Sequence, residues 1–183
     1  RPIFASFGGQ KMRKSRRRFL TKADGMAIGE AGSLTRGNFA EGEVVRIDFA
    51  QDIENAVIHL SSTNFGGNEF SLRVLEIDAS GFTFVLEEWE DEDGPHPVTE
   101  QINWIAIEEG VHTLADGRVI EAGTTTASGT ASTVNLSGSF NGPPAVLTNV
   151  IGTAEPDVVD SDTFAVTATG FSVQLEEGSQ AGT

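Results

Sequence analysis

Apolar and polar residues alternate along much of the chain, in short runs separated by glycine and other turn residues. A period of two places the apolar side chains on one face of a β-strand, whereas a helix needs apolar residues three or four positions apart. No long stretch shows a helical period with helix caps. The pattern therefore predicts an all-β protein with antiparallel strands. The clearest predicted strands are Val44–Phe49, Ala56–Leu60, Phe70–Ile77, Gly81–Leu86 and Gln101–Ile107.

The pattern also repeats with a period of about 90 residues, which indicates two copies of one module. In each copy a Glu-Ala-Gly step leads to a phenylalanine at the end of a strand, and a Gly-Phe step follows further on. We expect a basic arm or the end of a preceding segment over 1–28, a first β-sandwich over 29–114 and a second, incomplete β-sandwich over 115–183. The matched pairs are Glu30–Gly32 and Glu121–Gly123, Phe49 and Phe140, Ala56–Val57 and Ala145–Val146, and Gly81–Phe82 and Gly170–Phe171.

The first copy closes with a strand around Trp104, which we expect to lie in the core. Its counterpart in the second copy would fall about ten residues beyond Thr183, if the period holds. A sandwich without that strand exposes unpaired backbone. We therefore expect either that the protein is a fragment of a longer repeat protein or that another segment donates the strand.

Charge is segregated along the chain. The net charge is −15, yet residues 1–22 hold eight of the 12 Lys and Arg and none of the 27 Asp and Glu. So acidic a body repels phosphate backbones and anionic membranes, which argues against either partner. Only the arm could contact nucleic acid, an anionic glycan or the acidic body of a neighbouring copy. Its candidate partner-binding residues are Lys11, Arg13, Lys14, Arg16, Arg17 and Arg18.

The sequence offers little for catalysis. The chain has no cysteine, and its three histidines are scattered outside any zinc-protease pattern. It also lacks a nucleophile-elbow or phosphate-loop motif, and no apolar run is long enough to cross a bilayer. We expect a protein that is not an enzyme and that requires no cofactor.

The stretch Val45–Glu108 resembles the H-type lectin domain. It has a strand ending in Phe, an Ala-Val-Ile strand, a Ser-Gly-Phe step, a Trp eight residues after that glycine, and a closing Trp-Ile-Ala strand. The acidic loop Trp89–His96 is similar to one in tandem modules of large bacterial surface or secreted adhesin-like proteins. The resemblance implies a six-stranded antiparallel sandwich that binds a galactose-type sugar through an aromatic residue.

Trp89 matches that aromatic residue, and a ring beside carboxylates suits sugar stacking. The alternative is that Trp89 packs over the sandwich edge. Arg73 could contact a ligand, although a solvent-facing strand position paired with an acid explains it as well. The candidate carbohydrate-binding residues are Trp89, Glu90, Arg73 and His96.

The acidic loop is also a candidate calcium site, because Asp91, Asp93 and Glu100 are hard oxygen donors near a flexible Gly94. Their spacing fails the EF-hand motif, so a solvated acidic face is the alternative.

Together these patterns predict an extracellular or cell-surface module for carbohydrate binding or adhesion, with self-association or neighbouring modules as further partners. The alternative is a structural subunit of a surface fibre or virion, assembled by strand completion between subunits and by the basic arm.

Overall fold

The computed structural model describes residues 17–22, 24–63, 66, 68–89, 94–152 and 158–177. These residues form twelve β-strands and no helix, which confirms the predicted all-β class. The strands are β1 (Arg18–Thr21), β2 (Ala27–Arg36), β3 (Val45–Asp48), β4 (Ala56–Ser62), β5 (Phe70–Asp78), β6 (Gly81–Glu88), β7 (Glu100–Glu108), β8 (Gly110–Thr113), β9 (Val119–Ala122), β10 (Ser132–Asn135), β11 (Val159–Thr167) and β12 (Gly170–Glu177).

Strands β3 to β7 lie where the alternation predicts them, within one or two residues at each end. We call β1–β7 the first unit and β8–β12 the second unit. The first unit has two antiparallel sheets, with strand orders β1-β2-β7-β4 and β3-β6-β5. The second unit has a three-stranded sheet, β10-β12-β11, and the hairpin β8-β9.

One core lies between the two sheets of the first unit and takes side chains from both. Trp104 on β7 is 4% exposed, which confirms it as a core residue, and its ring meets that of Phe82 on β6 edge-on with centroids 5.9 Å apart. Burying side chains of this size stabilises the fold by about 2–3 kcal/mol each. The fully enclosed members of this core are Phe39, Ile58, Val74, Phe82, Phe84, Ile102 and Ala106.

A buried carboxylate fastens the chain after β3. Glu30 on β2 is 1% exposed, and both of its oxygens accept the backbone N–H of Ala50 at 3.1 Å. Arg17, at the end of the predicted arm, reaches the same carboxylate at 3.3 Å. Arg17 and β1, which lie within the predicted arm, therefore contact the body, and β1 belongs to the sheet β1-β2-β7-β4.

The hairpins β1-β2 and β8-β9 turn in the same way. The sequence Thr-x-Ala-Asp-Gly occurs at 21–25 and at 113–117. Gly25 and Gly117 have φ angles of 84° and 85°, which favour glycine because a side chain is strained there. The two turns meet through an antiparallel bridge between Lys22 and Leu114. The same turn sequence therefore joins the strands of both hairpins.

The sheet β10-β12-β11 has the strand order and register of β3-β6-β5. Gly81 lies opposite Asp48 in the first unit, and Gly170 lies opposite Asn135 in the second. The residue after the strand donates its N–H to the hairpin turn in both units, from Phe49 to Ser80 over 2.7 Å and from Leu136 to Thr169 over 2.9 Å.

This geometry corrects one matched pair of the sequence repeat. The hydrogen bonds make Leu136, not Phe140, the counterpart of Phe49, because Leu136 follows Glu121 by fewer residues than Phe49 follows Glu30. Glu121 confirms the alignment, since its carboxylate accepts the N–H of Ser137 at 2.9 and 3.0 Å, as Glu30 does for Ala50.

The predicted strand at Ala145–Val146 does not form. Residues 143–150 are assigned to no strand, and the end of this stretch docks on the first unit. The Asn149 side chain accepts the N–H of Leu60 on β4 at 2.6 Å and donates to the carbonyl oxygen of Leu72 on β5 over 3.1 Å. Because β4 and β5 are the edge strands of the two sheets, Asn149 bridges the side on which both sheets end.

Backbone contacts extend this docking beyond Asn149. Val74 donates its N–H to Val150 over 3.2 Å and accepts the N–H of Gly152 at 2.8 Å, which places a parallel bridge at the free edge of β5. His59 Nδ1 lies 3.2 Å from the carbonyl oxygen of Thr148. The two units therefore make direct contact.

We expect Glu30→Gln to lower the free energy of unfolding by about 1–3 kcal/mol, because it weakens a buried acceptor that holds Ala50. Urea unfolding of the whole chain measures the change. Glu54→Gln is the matched control, since Glu54 is exposed, and it should stay within about 0.5 kcal/mol of the wild type. Equal losses in both variants would contradict this role of Glu30.

A pH dependence follows from His59. Burial lowers its pKa below the ordinary 6.5, and the contact with Thr148 offsets part of that effect. The unfolded chain therefore binds this proton more readily, so stability falls as the pH drops through about 6.5. Glu43, whose hydrogen bond from Arg36 holds its pKa below the usual value, titrates at lower pH.

We expect His59→Gln to reduce the loss of stability between about pH 7.5 and pH 5.5. The urea midpoint measured across that range tests this expectation. An identical pH profile for wild type and variant would show that His59 is not the titrating group.

Candidate functional site

Trp89 extends the ladder between β5 and β6 by one residue. Its N–H donates to the carbonyl oxygen of Glu69 over 3.1 Å. Because side chains alternate along a strand, Trp89 shares a face with Glu87, opposite the face on which Leu86 enters the core. The Trp89 side chain is half-buried on this outer face.

Arg73 on β5 lies on the same outer face. Its Nε donates to Glu87 Oε2 over 2.8 Å, so the predicted pairing with an acid is present. The side chain of Arg73 is only 4% exposed, whereas that of Glu87 is 28% exposed. The expectation that Arg73 faces solvent is therefore wrong. The structure does bring Arg73 and Trp89 to one face, with the Glu87 carboxylate on that face as well.

His96 lies on the other side of the same sheet end, away from Trp89. Its side chain is fully buried, with Nδ1 2.9 Å from Glu88 Oε1 and Nε2 3.5 Å from Glu100 Oε1. Both carboxylates are almost completely buried as well. The sequence assigned His96 to a sugar site and Glu100 to a calcium site, but the structure places them together in one enclosed cluster.

Neighbouring groups hold this cluster in place. Thr63 donates to Glu100 over 2.9 Å, and Asn68 donates to Glu88 over 3.1 Å. Phe39 and His96 exchange two backbone hydrogen bonds of 2.9 Å. Phe70 packs its ring edge-on at 4.8 Å from the imidazole. The cluster thus ties the connection between β6 and β7 to the body of the first unit.

Several candidate residues lie outside the described part of the chain. They are Glu90, Asp91 and Asp93 of the acidic loop and Lys11, Arg13, Lys14 and Arg16 of the arm. Arg17 pairs with Glu30, and Arg18 is exposed on β1. Across the residues that are described, no group of three or more His, Cys, Asp or Glu side chains is arranged to hold a metal ion. The calcium site stays a prediction.

A second candidate surface was not singled out from the sequence. It is an open cleft of about 150 Å³ beside β1, where the Phe19 ring is 48% exposed. An aromatic ring among carboxylates has the composition that suits a polyol or sugar. The repeated Thr-x-Ala-Asp-Gly turn could have revealed that Phe19 belongs to a strand. The cleft is lined by Phe19, Ala27, Ile28, Gly29, Glu30, Gln51, Asp52, Ile53, Glu54 and Glu108.

The comparisons with known proteins leave the chain without a family assignment, because no family model, curated protein or solved structure matches it. Among the described residues there is also no helix long and apolar enough to cross a membrane.

We expect His96→Leu to lower the free energy of unfolding by about 3 kcal/mol, because it leaves two buried carboxylates without the imidazole. His112→Leu is the matched control: His112 is also buried, but its Nε2 lies 2.7 Å from the backbone carbonyl oxygen of Glu108 and not beside a side-chain carboxylate. Urea unfolding should show the larger loss for His96→Leu. Equal losses would show that the two carboxylates do not make a substitution at residue 96 more destabilising than one at residue 112.

Proposed function

We propose that this chain is a non-enzymatic, extracellular carbohydrate-binding or adhesion module, built from two consecutive β-sandwich units of a repeat protein. The observation that carries the proposal is the outer face shared by the half-buried Trp89 and Glu87. An indole stacks on the apolar face of a sugar, and a carboxylate accepts hydrogen bonds from its hydroxyl groups, while the buried Arg73 holds Glu87 in place. The resemblance of the first unit to H-type lectins favours the same ligand class.

The repeated plan of the two units supports an adhesive role. Both begin with a hairpin that turns at Asp-Gly and both contain a three-stranded sheet of the same register. Binding sites that are linked in one chain raise each other's effective concentration, so several weak sites together can attach the protein to a glycan-bearing surface. The acidic body also suits a solvated exterior.

A second candidate function is a structural subunit of a surface fibre or virion, completed by strand exchange between subunits. The exposed Leu147 in the second unit favours it, because this side chain is 64% exposed in a segment that forms no strand. The basic arm could then contact an acidic neighbour.

A glycan array on the whole chain tests the first proposal. We expect binding to galactose-type glycans, reduced about tenfold or more by Trp89→Ala. Phe164→Ala is the matched control, since Phe164 is a 39% exposed aromatic residue on β11, in a different sheet from β5 and β6. Repeating the array with calcium and with a chelator tests the predicted dependence on the loop.

Far-UV circular dichroism and urea unfolding establish that each variant is folded. Unchanged binding by a folded Trp89→Ala protein would remove Trp89 from the site. Absence of binding by the wild type to every glycan would overturn the carbohydrate proposal and favour the structural role.

A further inference from the structure

Among its described residues, the second unit has no counterpart of β7, the strand that is central to the first unit. In the first unit, β7 lies between β2 and β4 and pairs with both. In the second unit, β9 corresponds to β2, and residues 145–151 correspond to β4 because Val57 and Val146 stand equally far before their Gly-Phe steps. Within the described residues of the second unit, no strand lies between those two elements.

Residues 145–151, which correspond to β4, do not bury their apolar side chains as β4 does. Ile58 on β4 is 2% exposed, whereas Leu147 at the corresponding position is 64% exposed. Ala56 is buried and Ala145 is exposed. A segment whose sequence suits a buried strand therefore displays its apolar residues to solvent.

The three-stranded sheet β10-β12-β11 of the second unit is also less buried than its counterpart in the first unit. Phe82 and Leu86 on β6 are 0% and 4% exposed. Their counterparts on β12, Phe171 and Leu175, are only half-buried. The face that would pack on a β7-like strand is therefore partly uncovered.

We propose that the second unit binds a β-strand with the residue pattern of β7, inserted between β9 and residues 145–151. The first unit supplies the template for this partner. It is a strand of nine residues in which Ile102, Trp104 and Ala106 face the core and charged residues stand at both ends. Backbone hydrogen bonds provide the affinity, and the alternate side chains provide the specificity.

Insertion has a structural consequence for residues 145–148. Pairing with the new strand in the manner of β4 turns Leu147 from solvent into the core of the second unit. The contacts of Asn149 with Leu60 and Leu72 hold the far end of the segment on the first unit. The inference rests on the two-unit plan of the proposed function but not on glycan binding.

A peptide with the sequence of Glu100–Glu108 tests the inference against the whole chain. Because the chain has no cysteine, Leu147→Cys introduces a single thiol. We expect this thiol to react readily with a maleimide in the free chain and about tenfold or more slowly when peptide is bound. Val44→Cys is the matched control in the first unit, where Val44 is 56% exposed, and its reaction rate should not change.

Fluorescence anisotropy of the labelled peptide measures binding directly. Leu147→Asp should weaken binding at least about tenfold, the loss expected for one buried leucine, and Val44→Asp should not. A peptide carrying Ala106→Asp should fail to bind.

Three results would overturn the inference: no binding of the peptide, binding that leaves the Leu147→Cys thiol equally reactive, or protection of that thiol by self-association without peptide. Glycan binding is measured separately on the Trp89→Ala protein, so failure of one proposal does not imply failure of the other.

Discussion

The pairing of β7 with β2 on one side and β4 on the other is the constraint on which the first unit depends. It sets the spacing of three strands and places Trp104 against Phe82 at the centre of the core. Each end of β7 also contributes a glutamate to one of the sites described above. Glu100 opens β7 and enters the histidine cluster, whereas Glu108 closes β7 and lines the cleft beside Phe19.

The described residues of the second unit contain no such central pairing. Its hairpin and three-stranded sheet form, because their hydrogen bonds come from within each element. Residues 145–151 pair with no strand in the part of the second unit that the structure describes, and Asn149 and Val150 instead bond the free edges of the first unit. Local pairing is therefore sufficient for the hairpin and the sheet, whereas the opposite layer requires a central strand.

Alternation along the end of β6 separates two chemical environments by one residue. Glu88 points inward and holds His96 in a closed cluster, whereas Glu87 and Trp89 point outward with Arg73. A register slip of one residue would exchange the two sets, so the same backbone pairing that builds the core also defines the candidate sugar-binding face. The buried cluster stabilises the connection that follows Trp89.

The alternation of apolar residues was sufficient to predict the all-β class, the strands β3 to β7 and Trp104 as a core residue, because those signals are local. Sequence matching also paired Phe49 with Phe140, whereas the hydrogen bonds after β3 and β10 pair it with Leu136, and the Thr-x-Ala-Asp-Gly turn that the two hairpins share was missed. The stretch between the glutamate and this residue is shorter in the second unit, which shifts the sequence alignment but leaves the strand pairing the same. Only the hydrogen bonds of the structure reveal which residues correspond.

By itself, the sequence determined which residues form strands and which side of each strand is apolar. Only the tertiary structure decided that His96 and Glu100 share one buried cluster, that Arg73 is buried beside Glu87, and that Leu147 is left exposed. These outcomes depend on which strands become neighbours, and that choice is made by packing between residues far apart in the chain.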